Sequence, residues 1–152
     1  MQLTNHTDYS LRVLVYLGLK DGGRATITEM AGHFGISRNH LVKVIQNLSN
    51  QRIVQTLRGK GGGVCLARQP GEINIGRVVR QSESHFNIME CFSGDRENCV
   101  ISSVCKLKGV FRRAAQSFLE VLDEYTLEHI LQNRDELIEI IIMGGSRPAL
   151  DP

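Results

Sequence analysis

A run of glycines in the middle of the chain most limits how this sequence can fold. Four of the five residues 59–63 are glycine, and short segments rich in β-branched residues flank the run at 53–57 and 64–67. Two such segments joined by a glycine-rich turn predict a β-hairpin. The run lacks the G-x4-G-K-S/T spacing of a nucleotide-binding loop. Because Arg58 and Lys60 lie at the tip, we expect the hairpin to approach a phosphate backbone or a narrow minor groove.

Two short helices are predicted directly before this hairpin. Thr26 and Glu29 form a capping-box pattern at the start of the first helix, and Gly35 ends it. Ser37 is placed to cap a second helix that runs to about Asn50. Two short helices joined by a glycine turn predict a helix-turn-helix.

The second of these helices has one apolar face and one polar face. Leu41, Val44, Ile45 and Leu48 follow helical spacing and predict the buried face. The opposite face carries amides and a lysine but no acid, and such side chains hydrogen-bond base edges in a major groove. An ordinary amphipathic surface helix is the alternative, but the adjoining hairpin favours a winged helix-turn-helix. The residues predicted to contact DNA are Ser37, Arg38, Asn39, His40, Lys43, Arg58 and Lys60.

The charge distribution agrees with a nucleic-acid partner for the first half of the chain. Residues 1–80 contain eleven Lys and Arg against four Asp and Glu, whereas residues 81–152 contain seven against twelve. A basic half in a chain of net charge +2 predicts contact with a polyanion, with chance asymmetry as the alternative. There is no long apolar stretch and no secretory signal pattern at the N-terminus, so we expect a cytoplasmic protein without a membrane partner.

Three of the four cysteines lie within fifteen residues, at Cys91, Cys99 and Cys105. The segment between them is polar and predicts a loop. Thiols stay reduced in the cytoplasm, which favours a metal site over a structural disulfide. Zinc sites usually contain C-x2-C pairs, which this loop lacks, so an iron–sulfur cluster is favoured. A thiol redox switch and the absence of any function remain alternatives, and Cys65 in the predicted hairpin is interpreted as incidental.

A long helix is predicted over residues 106–125. Six of its side chains are spaced alternately four and three residues apart, a mean period of 3.5 that predicts pairing with another helix. A second apolar stripe would cover the winged domain, and a single buried helix in a monomer is the alternative. The predicted dimer interface consists of Leu107, Phe111, Ala114, Phe118, Val121 and Tyr125.

The sequence therefore predicts a mainly α fold with a small β-hairpin wing, a winged helix-turn-helix domain plus a long dimerisation helix. We expect the winged domain at 1–80 and a cluster-binding loop region at 81–105. The dimerisation helix and one C-terminal helix that starts after Thr126 would occupy 106–142, followed by a disordered tail at 143–152.

From Met1 to about Ile142 the chain resembles the IscR/NsrR family of iron–sulfur winged-helix transcription regulators, and within it the members that sense nitric oxide. The matching segments are MQLT-x3-DY, ISRNHLVKVIQNLS, RGKGGG, the three-cysteine loop, CKLK and AQSFLEVLDEYTL.

The resemblance implies a homodimer that binds an inverted-repeat operator and represses transcription until nitric oxide attacks its cluster. It implies that Cys91, Cys99 and Cys105 hold the cluster, with Asp8 of the partner subunit as the fourth ligand. A 4Fe–4S cluster is favoured over 2Fe–2S. Some members use a histidine three positions after the last cysteine, where this chain has Lys108.

Three classes of function are compatible with these features. The first is the nitric-oxide-sensing repressor, and the second is a metal-free, thiol-based redox repressor on the same scaffold. The third, an electron-transfer or enzymatic iron–sulfur protein, is the weakest because there is no Gly-rich cofactor loop and no Ser/His/Asp or paired-carboxylate constellation. We therefore expect a DNA-binding regulator and not an enzyme.

Overall fold

The computed structural model describes residues 2–20, 23–59, 61–92 and 99–142. It has the predicted architecture, helices with one two-stranded antiparallel sheet. Within the described ranges, no helix is both long and apolar enough to span a membrane. The elements are α1 (Asn5–Leu19), α2 (Ile27–Phe34), α3 (Arg38–Asn50), β1 (Val54–Leu57), β2 (Gly63–Leu66), α4 (Ile75–Ser82), α5 (Lys106–Asp123), α6 (Leu127–Ile130) and α7 (Arg134–Ile141).

Helices α2 and α3 begin and end where the sequence predicts. The Thr4 hydroxyl accepts from the Thr7 amide at the start of α1. The capping box of Thr26 and Glu29 is complete in α2, and Gly35 ends that helix with a left-handed φ of 63°. These caps satisfy backbone groups that a helix end leaves without partners.

Helix α1 lies at the centre of the hydrophobic core. It packs against α3, α4, β2, α6 and α7, so it is buried on several sides. Its buried apolar side chains are Val13, Leu14, Tyr16, Leu17 and Leu19. The predicted apolar face of α3 contributes to the same core, with Leu41, Val44, Ile45 and Leu48 all buried.

The hairpin forms in the register Val54↔Leu66 to Leu57↔Gly63. Gly59 and Gly61 in its turn have φ of 94° and 81°, values that residues with a side chain rarely adopt. A Cβ on Gly62 would lie 2.5 Å from the Leu57 carbonyl oxygen. The glycine run is therefore required by the backbone of the turn.

Helix α5 rests on the winged domain along one side. Arg80 of α4 makes a two-pronged ion pair with Asp123 of α5, with Nη2 donating to Oδ2 at 2.7 Å. Of the second stripe, Val110, Ala115, Leu119 and Leu122, the two leucines pack against the core as predicted, whereas Val110 is 59% exposed. No residue of α5 is fully buried, so its other face lies on the surface of the subunit.

The single C-terminal helix predicted after Thr126 is wrong. The chain forms the short helix α6, a turn at 131–133, and then α7. The break lets the Arg134 guanidinium donate to the carbonyls of Gly18 at 3.0 Å and of Leu19. These carbonyls end α1 and have no partner within the helix. Their contact with Arg134 therefore outweighs the apolar periodicity that predicted a single C-terminal helix.

Candidate nucleic-acid interface and cysteine segment

The outer face of α3 is a continuous polar surface. Arg38, Asn39, His40 and Lys43 are all exposed, as the sequence predicts for DNA contacts. The helix contains no acidic residue. The arrangement presents donors and positive charge with no carboxylate to repel phosphate, which suits insertion into a major groove.

Two details of α3 were not evident from the sequence. Val42 is 43% exposed between the polar residues, where an aliphatic side chain can contact a thymine methyl group. The position of Val42 on the outer face of α3 is the sequence feature that could have predicted its exposure. Ser37 also caps the helix by accepting from the His40 amide at 3.3 Å, so its hydroxyl has a structural role whether or not it also meets phosphate.

The wing carries Arg58 on its exposed surface. The other predicted wing contact, Lys60, lies outside the described residues. The hairpin is anchored by a third segment, because Ala25 and Val64 exchange two backbone hydrogen bonds of 3.0 Å and 2.9 Å. This pairing fixes the wing relative to the helix-turn-helix.

Two arginines that the sequence analysis missed hold the wing in place. Arg24 Nη1 donates to the Gly61 carbonyl at the wing tip at 3.0 Å. Arg68 Nε donates to the Arg52 carbonyl at 3.0 Å, where Arg52 adopts the left-handed φ of 56° between α3 and β1. No spacing rule pairs these residues, because each acceptor is a backbone carbonyl distant in sequence.

The three cysteines of the predicted cluster site are free thiols. Cys91 lies in the short helical turn Glu90–Phe92, Cys99 is exposed, and Cys105 occupies the N-cap position of α5. Residues 93–98, between the first two, lie outside the described part of the chain. Three thiolates are soft ligands that suit an iron–sulfur cluster. The described residues, however, contain no group of three His, Cys, Asp or Glu placed to hold a metal ion.

Lys108 occupies the position at which some similar proteins would have a histidine ligand. It has a different role in this chain. Its Nζ donates to the Ser102 hydroxyl at 3.1 Å, and Ser102 is buried in the turn between Cys99 and Cys105. An ammonium group has no lone pair and cannot bind a metal. The lysine therefore attaches the cysteine segment to the first turn of α5.

Asp8 lies in the first turn of α1, half exposed. Arg12 binds it with both prongs, Nε to Oδ1 at 3.1 Å and Nη2 to Oδ2 at 2.9 Å. The same end of α1 is held by Glu83, which accepts from the Thr4 amide at 2.7 Å. Burial alone would raise the pKa of Glu83, but hydrogen bonds from Thr7 and Thr4 keep the pKa below its ordinary value.

The side chains of the predicted α5 interface are apolar or aromatic, and most of them are exposed to solvent. Leu107 is 57% exposed and Val121 is 53% exposed. Tyr125 and Ala114 are exposed as well, while Phe111 and Phe118 are half-buried. Large aliphatic side chains in such numbers on one helix face are unusual for a surface that stays in water.

The fold and the polar face of α3 define a DNA-binding protein of the winged helix-turn-helix class. The family model described as "Rrf2: Iron-dependent Transcriptional regulator" matches residues 3–133. The chain belongs to the Rrf2 family of transcriptional regulators, which confirms the resemblance found in the sequence.

Curated relatives cover nearly the whole chain. It is 46% identical over 144 residues to the HTH-type transcriptional regulator NsrR of Bacillus subtilis, with 94% of this chain and 99% of the relative covered. It is 44% identical to the regulator of the same name in Bacillus licheniformis, with 93% and 99% covered.

Solved structures show the same fold. T. potens IscR superposes with a TM-score of 0.71 at 25% identity, covering 90% of each chain. CymR, the global cysteine regulator of B. subtilis, superposes with a TM-score of 0.67 at 25% identity, covering 86% of this chain and 95% of the other. Relatives and neighbours alike are transcription regulators, a class of DNA-binding protein and not of enzyme.

Proposed function

We propose that this protein is a nitric-oxide-sensing transcriptional repressor. It binds an inverted-repeat operator as a homodimer and releases that operator when its iron–sulfur cluster is nitrosylated or lost. The observation that carries the proposal is the combination of near-complete similarity to regulators named NsrR with three free cysteines before α5. Each half of that combination supports one part of the function, the reading of DNA and the sensing of a signal.

Cys91, Cys99 and Cys105 would hold the cluster, with 4Fe–4S favoured over 2Fe–2S. When bound, the cluster supplies iron that reacts with nitric oxide. The chain's own contribution is to attach the cysteine segment to α5, because Cys105 directly precedes the helix and Lys108 holds the turn between Cys99 and Cys105. A change in the cysteine segment would therefore reach the helix that is proposed to form the dimer.

Asp8 of the partner subunit is proposed as the remaining ligand. Within its own subunit Asp8 is half exposed and bonded only to Arg12 among the described side chains, so the carboxylate is accessible from outside. A surface ion pair of this kind stabilises the subunit by about 0–1 kcal/mol. A bond from the carboxylate to a metal is stronger than this. Because α1 packs directly on α3, a ligand on α1 would connect the cluster to the reading helix.

A metal-free, thiol-based redox repressor on the same scaffold is the second candidate. The observation behind it is that Cys91, Cys99 and Cys105 are free thiols, with Cys99 exposed, where an oxidant can reach them. In that case oxidation of the free thiols, not loss of iron, would release the operator.

The decisive experiment is anaerobic purification followed by an absorption spectrum, iron and sulfide counts, and operator binding before and after addition of nitric oxide. Replacing Cys91, Cys99 or Cys105 by Ser should remove the colour and the tight operator binding, because iron left without a ligand is labile. Cys65→Ser is the matched control and should change neither.

A colourless parent protein whose operator binding responds to the thiol oxidant diamide would establish the second candidate instead. A coloured protein that loses its colour in Cys65→Ser but keeps it in the three loop variants would reverse the division of the cysteines.

A further inference from the structure

A cleft of about 700 Å³ lies behind the wing. Its walls are the hairpin, the end of α1, and the segment that contains α6 and the start of α7. Cavities of this size suit small organic molecules. The DNA-reading residues of α3 do not line it, so it is a separate feature of the molecule.

The lining of the cleft is strongly cationic. Lys20, Arg24, Arg68 and Arg134 line it, and among the described residues of the lining Glu128 supplies the one carboxylate. Lys20 is paired with Glu29, which is not part of the lining. The remaining positive charge makes the cleft attractive to an anion.

Arg24 and Arg68 are the two cations whose charge is available. Their described acceptors are backbone carbonyls: Gly61 for Arg24, and Arg52 and Gln51 for Arg68. Neither arginine belongs to an ion pair among the described residues. A carbonyl satisfies one donor of a guanidinium but leaves its charge and its other donors for a carboxylate or phosphate.

The cleft also has an apolar wall. Leu17 of α1, Leu57 and Leu66 of the hairpin, and Leu131 of the turn after α6 contribute to its lining. A ligand that fits both the cationic and the apolar wall carries an anionic head and a short hydrocarbon body. The head then meets the arginines and the hydrocarbon meets the leucines, so that no polar group is buried against an apolar wall.

We propose that this cleft is an effector site for a small amphiphilic organic anion, with its carboxylate or phosphate bound by Arg24. The regulatory consequence rests on the proposed operator binding. The bond from Arg24 to Gly61 holds the wing tip, and an anion that binds the other donors of Arg24 draws the guanidinium into the cleft and weakens this bond. Occupancy therefore weakens the contact of the wing with DNA.

The site itself is tested without DNA, by thermal unfolding of the full-length protein with hexyl phosphate, hexanoate or the uncharged hexanamide. At tenfold excess over Kd, a bound anion should raise Tm by roughly 3–5 °C. A shift with only one of the two anions identifies the headgroup. No shift with either anion, or an equal shift with hexanamide, overturns the proposal.

Variants locate the bound anion. Arg24→Gln should abolish the shift, whereas Arg68→Lys, which keeps a cation near the carbonyls of Arg52 and Gln51, should leave it intact. Arg113→Gln removes an exposed arginine of α5 outside the cleft and should leave the shift intact. If Lys43→Gln abolishes the shift while Arg24→Gln retains it, the anion occupies the DNA-reading face and the proposal is wrong.

Cysteine reactivity gives an independent readout. Cys65 lines the cleft and is partly exposed, so the bound anion should slow its alkylation by iodoacetamide. Arg24→Gln, which should not bind the anion, serves as the control. Equal slowing in the parent and in this variant, or slowing in neither, contradicts the assignment.

Operator binding is then measured with and without the anion at matched ionic strength. The loss of one hydrogen bond at the wing tip should weaken affinity roughly fivefold, and Arg24→Gln should show the weaker affinity with or without ligand. A Tm shift without any effect on DNA would keep the site and remove its regulatory role. A protein that binds no operator at all but shows the Tm shift would remove only the proposed function.

Discussion

At the scale of single residues, the DNA contacts proposed for α3 would be made by side chains that have no other task in the described fold. Lys43 and Asn39 are exposed and bond no other side chain among the described contacts. Arg58 is equally exposed at the base of the wing turn. Their substitution should therefore change binding to DNA without changing the stability of the subunit.

We predict that Lys43→Ala weakens operator binding by about 1–3 kcal/mol and relaxes preference at one base pair, because a base contact is lost. Arg58→Ala should instead weaken binding to all sequences and reduce the salt slope by about one, because a phosphate contact is lost. Fluorescence anisotropy against an operator selected from random DNA measures both. Arg113→Ala, on α5, serves as the control, and unchanged affinity in both test variants would remove α3 and the wing from the interface.

At the scale of the element, the wing is a hairpin whose turn requires glycine at positions 59, 61 and 62. A methyl group on Gly62 would lie 2.5 Å from the Leu57 carbonyl oxygen and 2.9 Å from that of Gly59. Both oxygens belong to the backbone, so neither can move aside without reshaping the turn. The glycine run is therefore needed both for the turn to form and for the direction in which the wing points.

We predict that Gly62→Ala reshapes the wing and lowers operator affinity several-fold while the helical core stays folded. Gly32→Ala is the matched control, since Gly32 is an exposed helical residue of α2 with no atom near its added methyl group. That control should gain up to about 1 kcal/mol of stability and retain full affinity. Circular dichroism and anisotropy on both proteins check this, and equal DNA binding by the two would contradict the required turn.

The junction of α1 with α2 depends on one carboxylate. The hydroxyl of buried Tyr16 donates to Glu29 Oε1 at 2.6 Å, and Lys20 binds the same oxygen. Burial alone would raise the pKa of Glu29, but the bonds from Lys20 and Tyr16 outweigh it and lower the pKa. Burial and Glu29 together raise the pKa of Tyr16 well above its usual range.

We predict that part of the stability depends on pH through Glu29. Because its pKa is lower in the folded state, its contribution is complete above the unfolded pKa near 4.5 and is lost as pH falls through the folded value. Glu29→Gln should cost about 1 kcal/mol at pH 7, and its difference from the parent should shrink toward pH 3. Urea unfolding from pH 7 to pH 3 measures the difference, and a gap independent of pH would assign the loss to packing.

At the scale of the whole molecule, α5 has two faces with different tasks. Leu119, Leu122 and Asp123 attach it to the winged domain. Leu107, Val110 and Val121 remain more than half exposed in the single subunit. An antiparallel or parallel pair of such helices would cover these side chains and place two reading heads on one operator.

We predict that Val121→Lys dissociates the homodimer, because the lysine would lose water when the helices pair. The isolated subunit should remain folded, since Val121 is 53% exposed there. Gln116→Lys is the matched control, on the opposite side of α5 and exposed. Light scattering after size exclusion should give a monomer for the first variant and a dimer for the second, whereas a dimer in both would move the interface elsewhere.

Much of the fold is predictable because it is encoded locally. The caps at Thr26 and Ser37, the Gly35 turn and the glycine hairpin each depend on backbone conformation within a few residues. The boundary between α6 and α7 was not predictable, because Arg134 reaches carbonyls more than a hundred residues earlier in the chain. The arginines that hold the wing were missed for the same reason.

Local sequence patterns were enough to predict the helix-turn-helix, the glycine hairpin, the polar outer face of α3, and the three thiols before α5. These depend on helical period, turn chemistry and residue type, which are properties of short segments. The packing of distant segments decided that Arg24 holds the wing tip, that Arg134 binds the carbonyls at the end of α1, and that one face of α5 is left open. These contacts arise when separate segments pack around α1, and no local pattern specifies which carbonyl or carboxylate a long side chain will meet.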